Sequence, residues 1–270
     1  PGFHGEQVER YDTTYDPAKD ENRGHGLRFA ADDLFDCHWA STHKYQIPAD
    51  AKSGVYVGRY KYEENCEPRT YNVTFIVRRN ANRKKAPILM LCSTSTWLAY
   101  NAAPFPGGVN GTHYVGVWGR NSSHEQAPVY SCYRDHHAGQ PTYYMGLNMP
   151  WPAAAPEVTY SHDVPYSHLA RAELFAHRWL DGQYGDGTYN YDVVTDLDLH
   201  QDPGMLDGYK TVIINGHSEY WSAEAYDGVE QYLRNGGTAV VLSGNTMFWR
   251  TSFNQEGSVM ECRKYDPRIG

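Results

Sequence analysis

Two stretches constrain this chain more than any others: Thr211-Val-Ile-Ile-Asn-Gly-His217-Ser-Glu219-Tyr-Trp-Ser222 and Gly236-Gly-Thr-Ala-Val-Val-Leu-Ser-Gly-Asn245. Each is an apolar, β-branched run that ends in a polar, Gly-containing turn. That pattern predicts buried parallel strands whose C-terminal ends meet at one sheet edge, where open α/β sheets bind their ligands. One end carries His217 and Glu219, the other Ser243 and Asn245, so this edge is a candidate site.

The surrounding pattern agrees with an α/β domain. Residues 86–92 (Ala-Pro-Ile-Leu-Met-Leu-Cys) read as a buried strand that closes on residues 93–101. Residues 166–184 read as a helix with Leu169, Phe175, Trp179 and Leu180 toward the core. Further strands are expected at 191–195, 211–215 and 238–242, and a helix at 222–235 closed by Gly236. Alternating β and α elements imply a doubly wound, mainly parallel sheet over residues 86–270. Upstream, residues 27–85 alternate outward and inward side chains between turn signals, as in Gln46-Ile-Pro48, 53–62 and 71–77. They read as part of a β-sandwich. Residues 1–26 are polar and read as an extended arm or linker, and the Pro1 start reads as an incomplete or processed terminus. Residues 102–165 form a long excursion rich in Gly, Pro, Tyr and His, of the kind that carries function or packs on a neighbour.

Composition excludes several classes. A net charge of -8 gives no general attraction to phosphate backbones, so nucleic acid is not an expected partner. No apolar stretch approaches the ~20 residues that span a bilayer, so no membrane role is expected. The five cysteines include no C-x-x-C pair, which fits a reducing, cytoplasmic compartment.

Each motif has a plainer reading beside the chemical one. Gly216-His217-Ser218-Glu219-Tyr220 nearly matches the G-x-S-x-G nucleophile elbow, with Tyr in place of the last Gly, and Ser218 would be the nucleophile of a serine hydrolase. The plainer reading is a helix N-terminus capped by Ser218 or Ser222, with Glu219 at the positive end of the dipole. Asn245 can orient a carbonyl or a water, or simply close an Asx-turn. His136, His137, His162, His168, His177 and His200 show no H-E-x-x-H spacing and read as surface and packing residues. The acidic run from Asp196 to Asp202 reads as a solvated loop.

Taken in order, the motifs Ser93-x-x-Thr96-Trp97-x-Ala99-Tyr100-Asn101, Arg178-Trp179-Leu180, Tyr191-Asp192-Val-Val-Thr-Asp196-x-Asp198-Leu199, Gly216-His217-Ser-Glu219-Tyr220-Trp221-Ser222 and Leu242-Ser-Gly-Asn245-x-x-Phe-Trp249-Arg250 resemble the N,N-dimethylformamidase large-subunit family. The upstream segments Leu27-Arg-Phe-Ala-Ala-Asp-Asp, Asp36-Cys-His-Trp39 and Ile47-Pro-x-x-x-x-Ser53-Gly-Val-Tyr56 are similar to the end of that family's preceding β domain, so the likeness runs over residues 27–270. The resemblance implies a fold like the class I glutamine-amidotransferase group without a cysteine nucleophile, and hydrolysis of a small amide. It implies a mononuclear iron, Fe(III), held by two tyrosines and a glutamate. By motif, Tyr100 is the first phenolate ligand and Glu219 the carboxylate, with His217 and Asn245 beside them and needed for activity. The second tyrosine falls among Tyr133, Tyr143 and Tyr144, and Tyr143 is the choice. Anionic oxygen donors suit Fe(III), whose Lewis acidity holds a phenol ionised below its usual pKa of about 10. The resemblance further implies a small partner subunit, and self-association is also expected. Family members continue past the point corresponding to Gly270 with another active-site glutamate, so either the full protein is longer, or another chain completes the site, or this is a shortened relative without activity. Two other functions stay open: a non-catalytic assembly or carbohydrate-binding subunit, for which the 23 Tyr and 7 Trp are equally suited, and the Ser218 hydrolase.

Overall fold

The structure is a computed structural model and describes residues 40–64, 66–101, 132, 144–149, 151, 154–156, 168–182 and 190–262. The expected arm at 1–26 lies outside them, as do Tyr133, Tyr143 and most of the 102–165 excursion. Strands β1 (Gly54–Glu64) and β2 (Glu67–Val77) form an antiparallel pair in continuous register, from Gly54 opposite Val77 to Glu64 opposite Glu67. The Gln46-Ile-Pro48 segment, read as strand-like, forms no strand.

Next come β3 (Ile88–Cys92), helix α1 (Thr94–Ala99), β4 (Tyr144–Gly146), α2 (Ala170–Gly182), β5 (Tyr191–Thr195), α3 (Asp196–Gln201) and a 3-10 turn (Pro203–Leu206). The chain continues through β6 (Thr211–His217), β7 (Tyr220–Ser222), α4 (Ala223–Arg234), β8 (Thr238–Gly244), β9 (Trp249–Phe253) and β10 (Val259–Glu261). Four strands make a parallel sheet in the order β5-β3-β6-β8. The chain enters at β3, steps outward to β5, and then returns past β3 to β6. The strand order therefore reverses between β3 and β6, and the crevice at such a reversal is where parallel sheets place ligands.

Strand β3 shows why the sheet is buried on both faces. Leu89 and Leu91 point into a core with Leu199, Leu206 and Val229, under α3 and α4. Met90 and Cys92 point the other way, into a core with Trp97, Leu169 and Leu180, under α1 and α2. Each fully buried Leu there contributes roughly 1.5–3 kcal/mol. Residues 40–85 join the second core through Val55 and Ile76, and the Ser53 hydroxyl receives the Val193 N–H at 2.7 Å. A second sheet, β4-β10-β9-β7, is built from strands of three to five residues; β9 pairs parallel with β7 and antiparallel with β10.

Four readings are corrected. On α2 the buried residues are Ala170, Glu173, His177 and Leu180, whereas Phe175 and Trp179 are 55% and 41% exposed. The buried stripe keeps the heptad spacing but carries two polar residues, which an apolar pattern overlooks. Strand β8 is not buried: it is the last strand of its sheet, and Val241 and Leu242 are exposed. Residues 94–99 are helix rather than the end of the preceding strand. The run from Asp196 is helix α3, not a solvated loop, because Thr195 and Asp198 form a capping box. Asp196 itself is buried and accepts the Thr94 hydroxyl and the Ser95 N–H, covering the start of α1. Burial lifts its carboxyl to about 6 despite those bonds.

Candidate functional site at the β3–β6 crevice

Helix α1 delivers Tyr100, its C-terminal cap, to the end of β3, and β6 ends on His217 one strand away. Just before the end of β6 the chain bends at Gly216, with φ +74, and the link to β7 sets Glu219 beside Tyr100. The left-handed backbone and the closeness of Glu173 together demand glycine at 216: a Cβ there would lie 2.9 Å from Glu173 Cγ.

Three side chains converge. The Tyr100 phenol donates to Glu219 Oε2 at 2.7 Å, and His217 Nε2 lies 3.0 Å from the same oxygen and 3.3 Å from the phenol oxygen. Tyr100 is 2% and Glu219 3% exposed, so the contacts form in a largely dry environment, where electrostatic interactions are strong. Thr96 fixes the backbone of this corner. Its hydroxyl oxygen accepts the N–H groups of Glu219 at 2.9 Å and Tyr220 at 3.2 Å, while the Glu219 carbonyl receives Trp249 N–H at 2.8 Å. The carboxylate is thus carried by a backbone held on both sides.

His168 also belongs to this site, although nothing in its sequence context marks it. Its ring meets those of Tyr100 and His217 edge-on, with centroids 4.8 and 4.7 Å away. Burial, and then the neighbouring His217, push its pKa down to about 4, so it is neutral at physiological pH. Asn245 follows Gly244, against which the His217 ring packs, and adopts φ +48, a left-handed conformation that Asn tolerates better than most residues. Its side chain is exposed and makes no hydrogen bond to the trio. The Ser243 hydroxyl donates to the neighbouring Gly244 carbonyl, and the Ser243 carbonyl accepts the Thr246 hydroxyl.

Other candidates are placed elsewhere. Tyr144 is on β4, 36% exposed, and Tyr143 lies outside the described residues. Ser218 is fully buried, and its hydroxyl oxygen accepts the Trp221 indole N–H at 3.0 Å. Among the described residues it has neither the left-handed backbone nor a histidine partner, so the geometry argues against the Ser218 hydrolase. Ser222 caps α4 by accepting Ala225 N–H, and His200 packs there against Ser222 and Glu224.

Tyr100 and Glu219 suit a hard, oxygen-preferring metal ion. The phenol and carboxylate oxygens, 2.7 Å apart, match the roughly 2.8 Å separation of adjacent ligands on an ion with metal–oxygen bonds of about 2 Å. A single shared proton now occupies the space between them.

Fold and site together define a parallel α/β domain with a phenol, imidazole and carboxylate cluster at its strand-order reversal. The chain belongs to the family described as N,N-dimethylformamidase beta subunit-like, C-terminal, whose model matches residues 2–269. It is similar to the N,N-dimethylformamidase beta subunit of Alcaligenes sp, at 29% identity over 252 residues covering 88% of this chain and 31% of the relative. The beta subunit of the same name from Paracoccus aminophilus matches at the same identity and coverage. The chain thus spans about a third of the length of these curated relatives.

Proposed function

We propose that this chain carries the iron-binding and proton-transfer residues of a hydrolase acting on a small amide of the N,N-dimethylformamide type. The observation that carries the reading is the meeting of Tyr100, His217 and Glu219 within 2.7–3.3 Å at the strand-order reversal. The name of the relatives supports the reaction class. We extend the class I glutamine-amidotransferase likeness to the doubly wound sheet as part of the same proposal.

Tyr100 and Glu219 would hold the ion, with Tyr143 as the second tyrosine. A bound ferric ion supplies Lewis acidity for activating an amide carbonyl or a water. The chain's own residues do the rest. Loss of the Tyr100 phenolic proton leaves a phenolate beside the carboxylate. His217 Nε2, within reach of both oxygens, accepts a proton as the nucleophile forms and returns it to the departing amine. Asn245, at the next strand end, aligns the substrate carbonyl through its amide. Neutral His168 closes the far side of the Tyr100 and His217 rings and keeps water from them. The relatives are named as beta subunits, and we extend to this chain a small partner subunit and self-association.

The test is elemental analysis of protein purified without chelator, with Tyr100→Phe and Glu219→Gln prepared alongside, together with release of dimethylamine from N,N-dimethylformamide. Near-stoichiometric iron in the parent, lost from both variants along with amine release, is the expected result. Iron-free parent protein, or iron kept in both variants, would overturn the assignment.

A further inference from the structure

A second cluster lies in the core, on the α2 side of the parallel sheet. Cys92, the last residue of β3, meets Glu173 and His177 of α2, and one donor atom from each lies within 4.8 Å of the other two. All three residues are buried: Cys92 is 0%, Glu173 1% and His177 4% exposed. Cys92 Sγ is 3.8 Å from His177 Nε2.

We propose that Cys92, Glu173 and His177 form a binding site for a divalent, thiophilic transition-metal ion of the zinc type, separate from the Tyr100 and Glu219 cluster.

The orientation of each donor supports this. Glu173 Oε1 is occupied by the Ser93 N–H at 3.1 Å and the Trp97 indole N–H at 2.9 Å, while Oε2 has no nitrogen or oxygen partner among the described residues and the Cys92 thiol is the one further group that meets the carboxyl. The buried Ser93 hydroxyl is also without a partner. A buried carboxyl oxygen that faces a thiol and lacks an ordinary donor is open to a cation, since buried polar groups are normally satisfied. His177 Nδ1 lies 3.4 Å from the Tyr191 hydroxyl, which donates to Asp181 at 2.9 Å. With that proton committed, Tyr191 accepts from Nδ1–H, leaving the Nε2 lone pair toward Cys92. Such hydrogen bonding away from the metal is how ligating imidazoles are held in the right tautomer.

Charge selects the ion. A thiolate and a carboxylate bring two negative charges, neutral imidazole brings none, and a divalent cation makes the buried set neutral, avoiding the cost of an uncompensated core charge. Sulfur and imidazole together favour zinc over magnesium or calcium. Tetrahedral zinc places sulfur and nitrogen ligands about 3.5 Å apart, so the present 3.8 Å needs little contraction. Ligation through sulfur and carboxylate oxygen needs both groups deprotonated, so binding sends a thiol and a carboxyl proton to solvent. An i, i+4 Glu–His pair facing a strand cysteine also explains why the inner stripe of α2 is polar in its middle.

The experiment loads the chain separately with Zn(II) and Co(II), dialyses away the excess, and reads metal content and the thiolate-to-cobalt charge-transfer absorption. One equivalent of tightly held metal and a clear charge-transfer band are expected in the parent. Cys92→Ser should lose the band, and Glu173→Gln, which keeps the acceptor for Ser93 and Trp97, should weaken Co(II) binding about tenfold or more. Circular dichroism checks that each is folded; if Cys92→Ser is not, Glu173→Gln alone decides. Tyr100→Phe should leave the band unchanged, which separates this site from the iron reading. No uptake of either ion by folded parent, a band that survives in Cys92→Ser, or unweakened Co(II) binding in Glu173→Gln would overturn the proposal.

Discussion

Replacing Thr96 with Val tests how the Glu219 corner is held. Thr96 is fully buried, and its oxygen is the acceptor for two backbone donors, Glu219 N–H and Tyr220 N–H. Valine matches the side chain in shape but cannot accept, so both amides are stranded where water cannot reach. An unsatisfied buried donor costs roughly 1–3 kcal/mol, and the extra methyl recovers only part of this, giving a net loss of about 2–4 kcal/mol. In a domain of this size, that corresponds to a melting temperature lower by about 5–15 °C. Urea titration should show a lower midpoint with an unchanged slope, and Thr96→Ser, which restores the acceptor, should recover most of the loss. A Thr96→Val loss below about 0.5 kcal/mol would refute the reasoning, because it would mean that both amides find other partners at no cost.

Further outcomes follow from other residues. Gly216 and Gly236 both have left-handed backbones, but a Cβ at 216 would meet Glu173 at 2.9 Å while one at 236 would meet nothing within 4 Å. Gly216→Ala should therefore cost about 2–4 kcal/mol and Gly236→Ala about 1 kcal/mol, and equal losses in thermal unfolding would contradict the packing argument. Burial raises the Glu173 carboxyl to about 8 from an ordinary 4.5, so above pH 4.5 the folded metal-free state binds the proton more tightly than the unfolded chain. Its contribution thus declines as pH rises, by roughly 1–2 kcal/mol between pH 6.5 and 8. The depressed histidines His168 and His177 act in the opposite sense, through a window closing just above pH 6.5, and cancel on comparison with Glu173→Gln. Urea midpoints of the two proteins at both pH values should show this difference, and parallel pH profiles would refute it. Removing the α4 cap with Ser222→Ala should cost about 1 kcal/mol in the same titration, since Ala225 N–H loses its acceptor and His200 a partner; an unchanged midpoint would contradict the capping role.

Much of the fold is written in local pattern. The β-branched runs of β3, β5 and β6 are apolar because both their faces are covered, and that two-sided burial is visible as an uninterrupted string of residues. Helix α4 announces itself through Ser222 at its start and Gly236 after its end. Strands β4, β7, β9 and β10 are different. They are three to five residues long and depend on one another for hydrogen bonds, so no local period distinguishes them from loop. Helix α2 misleads for another reason: Glu173 and His177 face inward at positions where an apolar pattern expects Phe175 and Trp179.

The same division holds at the site. Sequence alone placed His217, Glu219 and Asn245 at or just beyond strand ends, because Gly-containing polar turns after apolar runs mark where a parallel strand surfaces, and it read Tyr100 at the close of β3, where the structure puts it on the cap of α1. It could not decide which ends are neighbours. That depends on strand order, and the pairing of β3 with β6 brings Tyr100 to a residue 119 positions away while leaving exposed Asn245 without a hydrogen bond to it. Tertiary structure alone decided that Thr96 anchors Glu219, that His168 closes on Tyr100, and that Cys92 meets Glu173 and His177. Each of these contacts joins segments far apart in the chain, and such partnerships are settled by packing geometry, which no short-range pattern encodes.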